Sequence, residues 1–451
     1  MPTTIRQKLT NAQIAIITAI SFVIYFLSNP TTSPYDYTTR VAGNFLNGYI
    51  GFAQSPPGWL NEFVPFEGSY YSVFPLGSVL TMVPFAVLKS IANLADTPTK
   101  LIGACCGAAT CVFLLMIARC YGYARFRTIL LSLAIIFGTW MWTNVTMGGA
   151  WQSALGFAVV GQLGAIYFTV FNRHPFIAGL FFAMGFGNRT EVLLTAPIFF
   201  FLLTRPEKKA GRTVELSEEL TDKTRTINSP ENTAETRVPF PNELTYDAPV
   251  ESRSIDTIRN HFRNMLIRIV WFSSIPFLLG VLTLIYNYIR FHSFTDFGYA
   301  RIPGVLEEPW YNHGIFSMYY IPQQAWQMLF KLWEFRSHFP LPIPNGFSSS
   351  ILIGSPFLVL LSRWGAKDRA LKYLSWAAIL VICTLLWMHG NSGGWQFGYR
   401  YAMVLLPWMF VILLENSRNK VSTLETVLYL LSFIANAYAT WLFNWTQNIK
   451  V

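Results

Sequence analysis

Charge is what this sequence has least of. Of its 451 residues only 12% are charged, while 53% are hydrophobic and 16% aromatic. An ordinary soluble domain carries about a quarter charged residues, so the composition excludes that class and leaves a polytopic membrane protein. Cysteine is sparse and unpatterned. The five thiols, Cys105, Cys106, Cys111, Cys120 and Cys383, are odd in number, include no CxxC and lie in or beside apolar runs. They read as small core residues, not as a disulfide framework. No basic stripe or zinc-ligand spacing accompanies the net charge of +10, which argues against a nucleic-acid partner. Basic loops held beside anionic lipid explain that charge instead. His292, His313, His338 and His389 share no helical ligand spacing, so no structural metal is assigned. There is no internal repeat of fixed period. No small-residue cleavage site follows the apolar stretch near the start, which therefore reads as a retained signal anchor.

What is present is apolar length. Runs long enough to span lie at 12–28, 100–118, 127–143, 151–171, 266–289, 371–388 and 422–444, with shorter ones at 175–187, 191–204, 350–362 and 400–415. Together they predict an all-α bundle of about eleven transmembrane helices. The run Phe74–Leu94 is not counted. Leaving it out puts every short basic loop on one side: RCYGYARFR, NRH, RWGAKDRALK and NSRNK. It is expected as a re-entrant or interfacial element broken by Pro75 and Pro84. The chain then divides into a membrane half, 1–204, with a first external loop at 29–99, and a second half, 266–451. The second half carries an external loop at 290–349 and a glycine-rich external loop at 389–400. Between the halves, 205–265 is rich in Glu, Thr, Ser, Asn and Pro and reads as a disordered cytoplasmic insertion. Within 290–349, QQAWQMLFKLWEF places Trp326, Phe330 and Trp333 on one helical side and Gln324, Gln327, Lys331 and Glu334 on much of the other. That predicts a helix lying flat at the interface or closing as a lid.

On this topology the unexplained polar residues fall outside: Asp36, Arg40, Glu62, Glu67, Tyr70, Tyr71, Arg290, Asp296, Arg301, His389 and Arg400, with Arg189 and Glu191 where two short spans meet. The spans themselves are nearly free of charge, unlike those of a pump or channel. The pattern predicts a site at the membrane edge, where a lipid headgroup meets a polar substrate. Arginine forks suit phosphate oxygens, which makes Arg189 and Arg400 the leading phosphate ligands and Arg290 a third. Trp395 and Tyr399, beside the glycines of GNSGGWQFGYR, are placed to stack on a sugar face. Tyr70-Tyr71 reads as an aromatic interface anchor, with Tyr71 kept among the substrate-facing residues together with His389 and Glu67.

Three blocks carry a family resemblance. DYTTRVAGNFLNGYIGF…EGSYYSVFPLGSVLTMVPF resembles the first external loop of bacterial GT-C glycosyltransferases, the fold that includes protein O-mannosyltransferases and lipid A aminoarabinose transferases. YNYIRFHSFTDFGYARIPG is similar to a segment after a later span of that fold, and GGWQFGYRYAMVLLPW to one near its end. The blocks occur in the family's order and cover about a third of the chain; the spans between them match only in hydropathy. The resemblance implies a GT-C-like bundle with two large external loops. It also implies an inverting transferase that moves a sugar from a polyprenyl-phosphate donor to an acceptor outside the plasma (inner) membrane. The acceptor is a lipid, glycan or protein. Asp36 is then the general base. No organic cofactor is expected; some relatives use a divalent cation, for which Asp36 and Glu67 are the candidate ligands. Two other classes stand beside this one: a transporter or flippase, and a ligase or polymerase, acting on lipid-linked glycans.

Overall fold

The structure, a computed structural model, describes residues 8–30, 33–205, 255–337 and 339–449. It is mostly helical, with two small antiparallel hairpins among the described residues. Five of the described helices are long and apolar enough to cross a membrane: Thr99–Cys120, Ala150–Phe171, Phe262–Phe291, Arg369–Met388 and Thr423–Trp445. A sixth arises if Arg125–Phe137 and Met141–Met147, bent by 49°, act as one span. Shorter apolar helices lie at Asn11–Leu27, Leu76–Ile91, Pro175–Asn188 and Thr190–Thr204.

Of the about eleven expected spans, four of them short runs, five or six are long helices among the described residues. Prolines account for two of the shortfalls. Pro197 and Pro407 each sit in the first turn of a helix, where a missing N–H starts a helix but cannot continue an earlier one. The residues before them wind instead as 3-10 segments, Thr190–Thr195 and Arg400–Leu405. The run 350–362 resolves likewise into a turn, Ile351–Gly354, and a 3-10 segment, Pro356–Ser362.

The outward surface carries the membrane signature. Phe277 and Ile434 are 73% and 64% exposed, while Asn144, Gln162 and Asn436 are fully buried and hydrogen-bonded to backbone carbonyls. Apolar groups outside and polar groups bonded to backbone carbonyls inside suit a bundle solvated by lipid. Close helix approach relies on glycine. A Cβ on Gly77 would lie 2.4 Å from Gly187 Cα, and the Ser78 hydroxyl beside it donates to Asn188 O at 3.4 Å.

The basic loops gather at one end. Arg127 and Arg363 both bind Glu425 Oε1, at 2.7 and 2.6 Å. Arg205 pairs with Asp368 at 3.0 Å, and Lys367 lies over the Tyr123 ring. At the other end, both flanks of helix Leu76–Ile91 meet adjacent residues: Phe74 packs on Tyr37 and Thr97 bonds Asp36. The segment thus returns to the end from which it starts. It does not break at Pro84, contrary to expectation; the helix runs through that residue, and its packing on helix Tyr37–Leu46 outweighs one lost hydrogen bond.

Two other expectations need correction. Of the insertion at 205–265, residues 206–254 lie outside the described residues, and from Ile255 the chain is already helix, continuous to Phe291. The amphipathic helix expected in the loop 290–349 is short, Ile321–Leu329. Its Gln324 is buried and donates to Gly390 O at 2.7 Å, while Trp326 is 62% exposed. Gln324 and Met328 therefore face the protein and Trp326 faces outward.

Because both flanks of Leu76–Ile91 lie at one end, single cysteines at Ser69 and Asp96 in a cysteine-free background should both react with an impermeant thiol reagent from outside. Protection of Asp96→Cys until the inner face is opened would show that the helix crosses.

Candidate functional site

The hairpin β1 (Phe63–Phe66) and β2 (Ser69–Ser72) turns at Glu67-Gly68, both with positive φ, as a two-residue hairpin turn requires. The Val73 N–H donates to Glu62 O at 3.3 Å, so the hairpin delivers Glu62 next to Phe74 and Pro75. These residues line one wall of a cavity of about 510 Å³, a volume in the range of small-molecule sites. Opposite walls come from Asn188–Glu191, from Tyr299 to Phe316 and from His389 to Tyr401.

Glu62 is held by one donor. The Trp151 indole N–H reaches both carboxylate oxygens, at 2.9 and 3.0 Å. Burial pushes the Glu62 carboxyl up to about 7; the Trp151 bond and the Arg400 charge oppose that rise, and Glu308 adds to it. A carboxyl poised there takes or gives a proton near neutrality. The Trp151 ring is itself fixed, with Tyr35, Tyr37 and Phe74 packed at 5.4, 5.3 and 6.2 Å.

Two guanidinium groups share the cavity and flank one ring. Arg189 and Arg400 lie 4.8 and 5.1 Å from the Tyr401 centroid. Arg189 pairs with Glu191 at 2.8 Å. Arg400 has no carboxylate within 4.0 Å among the described residues. It is 7% exposed, its Nη1 donates to Gly394 O at 2.9 Å, and its Nε has no hydrogen-bond partner. Gly393, with φ +92°, is what lets the guanidinium approach: a Cβ there would sit 2.8 Å from Nε. A buried cation without a counter-ion is a costly arrangement, and an anion entering the cavity would relieve it. The two arginines reach the cavity by the same local device, since each immediately precedes or opens a 3-10 segment that runs into a proline-started helix.

The structure thus brings Arg189, Arg400 and His389 together and leaves the other expected residues outside the lining. Asp36 is buried behind the Trp151 wall. Its Oδ1 accepts from Arg40 Nε at 2.5 Å and its Oδ2 from Thr97 Oγ1 at 2.7 Å, so both oxygens are engaged. It lies between Tyr35 and Tyr37, whose rings pack on Trp151. Arg290 is buried against the Tyr286 ring and donates to Ser72 O and to Asn287 Oδ1. It pins the hairpin to the long helix and is not at the cavity. Glu67 sits at the exposed hairpin turn, 3.0 Å from His292 Nε2. The two residues named for a cation, Asp36 and Glu67, therefore have separate partners. Tyr71 packs on Phe291, Trp395 packs on Phe443, and the buried Tyr399 hydroxyl donates to Gln324 Oε1 at 3.0 Å. His338 lies outside the described residues.

The residues that sequence reasoning passed over as site members are Glu62, Trp151, Tyr299 and Tyr401. Glu62 stood among the external polar residues, but its partner Trp151 is 89 positions away. No family model, curated protein or solved structure matches the chain, so the functional reading rests on this cavity.

A carboxyl with a raised folded value binds its proton more tightly in the folded state. It therefore lowers stability as pH rises from the ordinary glutamate value to about 7. Glu62→Gln should leave thermal stability unchanged at pH 4 and raise it at pH 8, by on the order of 1–3 kcal/mol. Thermal unfolding in detergent at both pH values checks this, and an equal change at both would remove the desolvated carboxyl.

Proposed function

We propose that this chain is an integral membrane glycosyltransferase of GT-C-like architecture, reaching about eleven crossings when its short helices are counted. It would act on a polyprenyl-phosphate-linked sugar at the external face of the plasma (inner) membrane. One observation carries the reading: the buried Arg400 guanidinium, with no carboxylate within 4.0 Å among the described residues, and the Glu62 carboxyl, whose pKa burial raises, line the same cavity. Outside the cytoplasm there is no nucleotide-sugar pool, so an activated sugar arrives on a lipid phosphate.

In this reading Arg400, with Arg189 beside it, holds the donor's phosphate, and Glu62 faces the incoming acceptor hydroxyl. The acceptor oxygen bonds to the anomeric carbon as the bond from that carbon to the phosphate oxygen breaks. The acceptor proton passes to Glu62 and the electron pair leaves on the phosphate. Negative charge grows at the phosphate during the step, so the guanidinium contact strengthens toward the transition state. The sequence alone favoured Asp36 as the base. Its engaged oxygens and its place behind Trp151 favour Glu62 for that role and give Asp36 a positioning one.

In a transfer assay with polyprenyl-monophosphate sugar and detergent-solubilised protein, Glu62→Gln should lose about 100- to 10,000-fold in turnover. Arg400→Lys keeps the charge but loses the fork. It should lose roughly 2–4 kcal/mol of transition-state stabilisation with unchanged folding. Near-wild-type turnover by Glu62→Gln, with loss confined to Asp36→Asn, would return the base to Asp36. Turnover of Arg400→Lys within a factor of about two would end the phosphate assignment.

A further inference from the structure

The segment SFTDFGYARIPG turns sharply to present one phenol to the cavity. Asp296 accepts from the Gly298 N–H at 2.7 Å and from Arg301 Nε at 2.6 Å. Gly298 has φ +80°, which glycine adopts without strain. The clasp fixes Tyr299, whose side chain lines the cavity. From its hydroxyl a chain of polar atoms runs into the protein. Tyr299 and Tyr311 hydroxyls are 2.8 Å apart, Tyr311 is 3.4 Å from His389 Nε2, and His389 Nδ1 is 2.6 Å from Asn391 O.

The direction of this chain follows from its last member. A carbonyl only accepts, so His389 Nδ1 carries a hydrogen. His389 is held neutral chiefly by burial, with the charges of Arg189 and Arg400 acting the same way and the Asn391 carbonyl and Glu191 opposing them. The groups facing its ring from other elements are Tyr299, Tyr311, Phe316 and Tyr401, and none of these carries charge near neutral pH. In the neutral ring Nε2 is bare and accepts the Tyr311 proton. The Tyr311 oxygen then accepts from the Tyr299 O–H. Tyr299 is left with lone pairs, and no proton, toward the cavity.

We infer that Tyr299, aligned through Tyr311 and His389, is a hydroxyl-reading residue that selects a ligand presenting a sugar O–H beside the phosphate held by Arg400. Tyr311 and His389 are positioning residues in this scheme. The inference rests on the sugar-transfer reading only for the ligand class. It also carries a consequence that simple packing would not. Protonating His389 puts a hydrogen on Nε2, reverses both phenols and turns the Tyr299 O–H toward the cavity. The same position then donates, so a fluorine, which can only accept, loses less against a hydroxyl, which can both donate and accept.

The test uses the full-length protein in lipid nanodiscs. The probes are hexose 1-phosphates and their monodeoxy and monodeoxyfluoro counterparts, measured by calorimetry at pH 7.5 and pH 5. Wild type should bind one hydroxylated probe about tenfold tighter than its deoxy partner at pH 7.5. Tyr299→Phe should erase that ratio while still binding both probes, and Tyr311→Phe should reduce it. The fluoro analogue should gain on the hydroxyl probe at pH 5. Histidine-selective ¹⁵N NMR should show His389 protonated at Nδ1 alone at pH 7.5. An unchanged deoxy ratio in Tyr299→Phe, no binding of any hexose phosphate, or a hydrogen on Nε2 at pH 7.5 would each overturn the inference. Transfer activity with an unchanged ratio would defeat this inference and leave the transferase reading intact. A lost ratio without transfer would do the reverse.

Discussion

One indole N–H holds the carboxyl group on which the site depends. Trp151 supplies the hydrogen bond that holds the half-buried Glu62 carboxyl at the cavity wall, and it supplies no positive charge. The carboxyl is therefore kept in position without being forced to ionise, which is the condition for exchanging a proton near neutrality. A salt bridge would have pulled it the other way. Asp36 shows the contrast within the same wall: it has Arg40 on one oxygen and Thr97 on the other. The first arrangement suits proton exchange and the second suits architecture.

The bundle around this wall is organised by the solvent it faces. Lipid leaves no reward for burying apolar side chains, so polar groups that bond backbone carbonyls take the interior, as Asn144, Gln162 and Asn436 do. Glycines permit the close helix approach of Gly77 to Gly187. The basic loops at the far end form their own network around Glu425, separate from the cavity. Charge is thus concentrated at two ends, and at the cavity end Arg400 is buried with no carboxylate within 4.0 Å among the described residues.

Much of this was readable in the sequence because it depends on composition and local pattern. Scarce charge and long apolar runs marked a membrane chain, and the glycines before Arg400 marked a backbone that something approaches closely. That something proves to be the arginine's own guanidinium, against Gly393. Arg189, Arg400 and His389 were legible because each interrupts an apolar or glycine-rich stretch. Glu62 was not, since its value is set by Trp151 from a different helix and by burial that no local window reports. Arg290 misled for the complementary reason. A span-end arginine in YNYIRF looks the same in sequence whether it meets a ligand or, as here, Ser72 and Asn287. The runs at 191–204 and 400–415 are short for a local reason, since Pro197 and Pro407 each start a helix behind a 3-10 segment.

The central claim is that Glu62 is a desolvated carboxyl exchanging its proton near neutral pH, and infrared difference spectroscopy reads that directly. The protonated carboxyl C=O stretch, identified as the band missing in Glu62→Gln, should persist at pH 6 and fade with a midpoint near 7. A band already lost by pH 5 would mean an ordinary solvated carboxylate and would contradict the account.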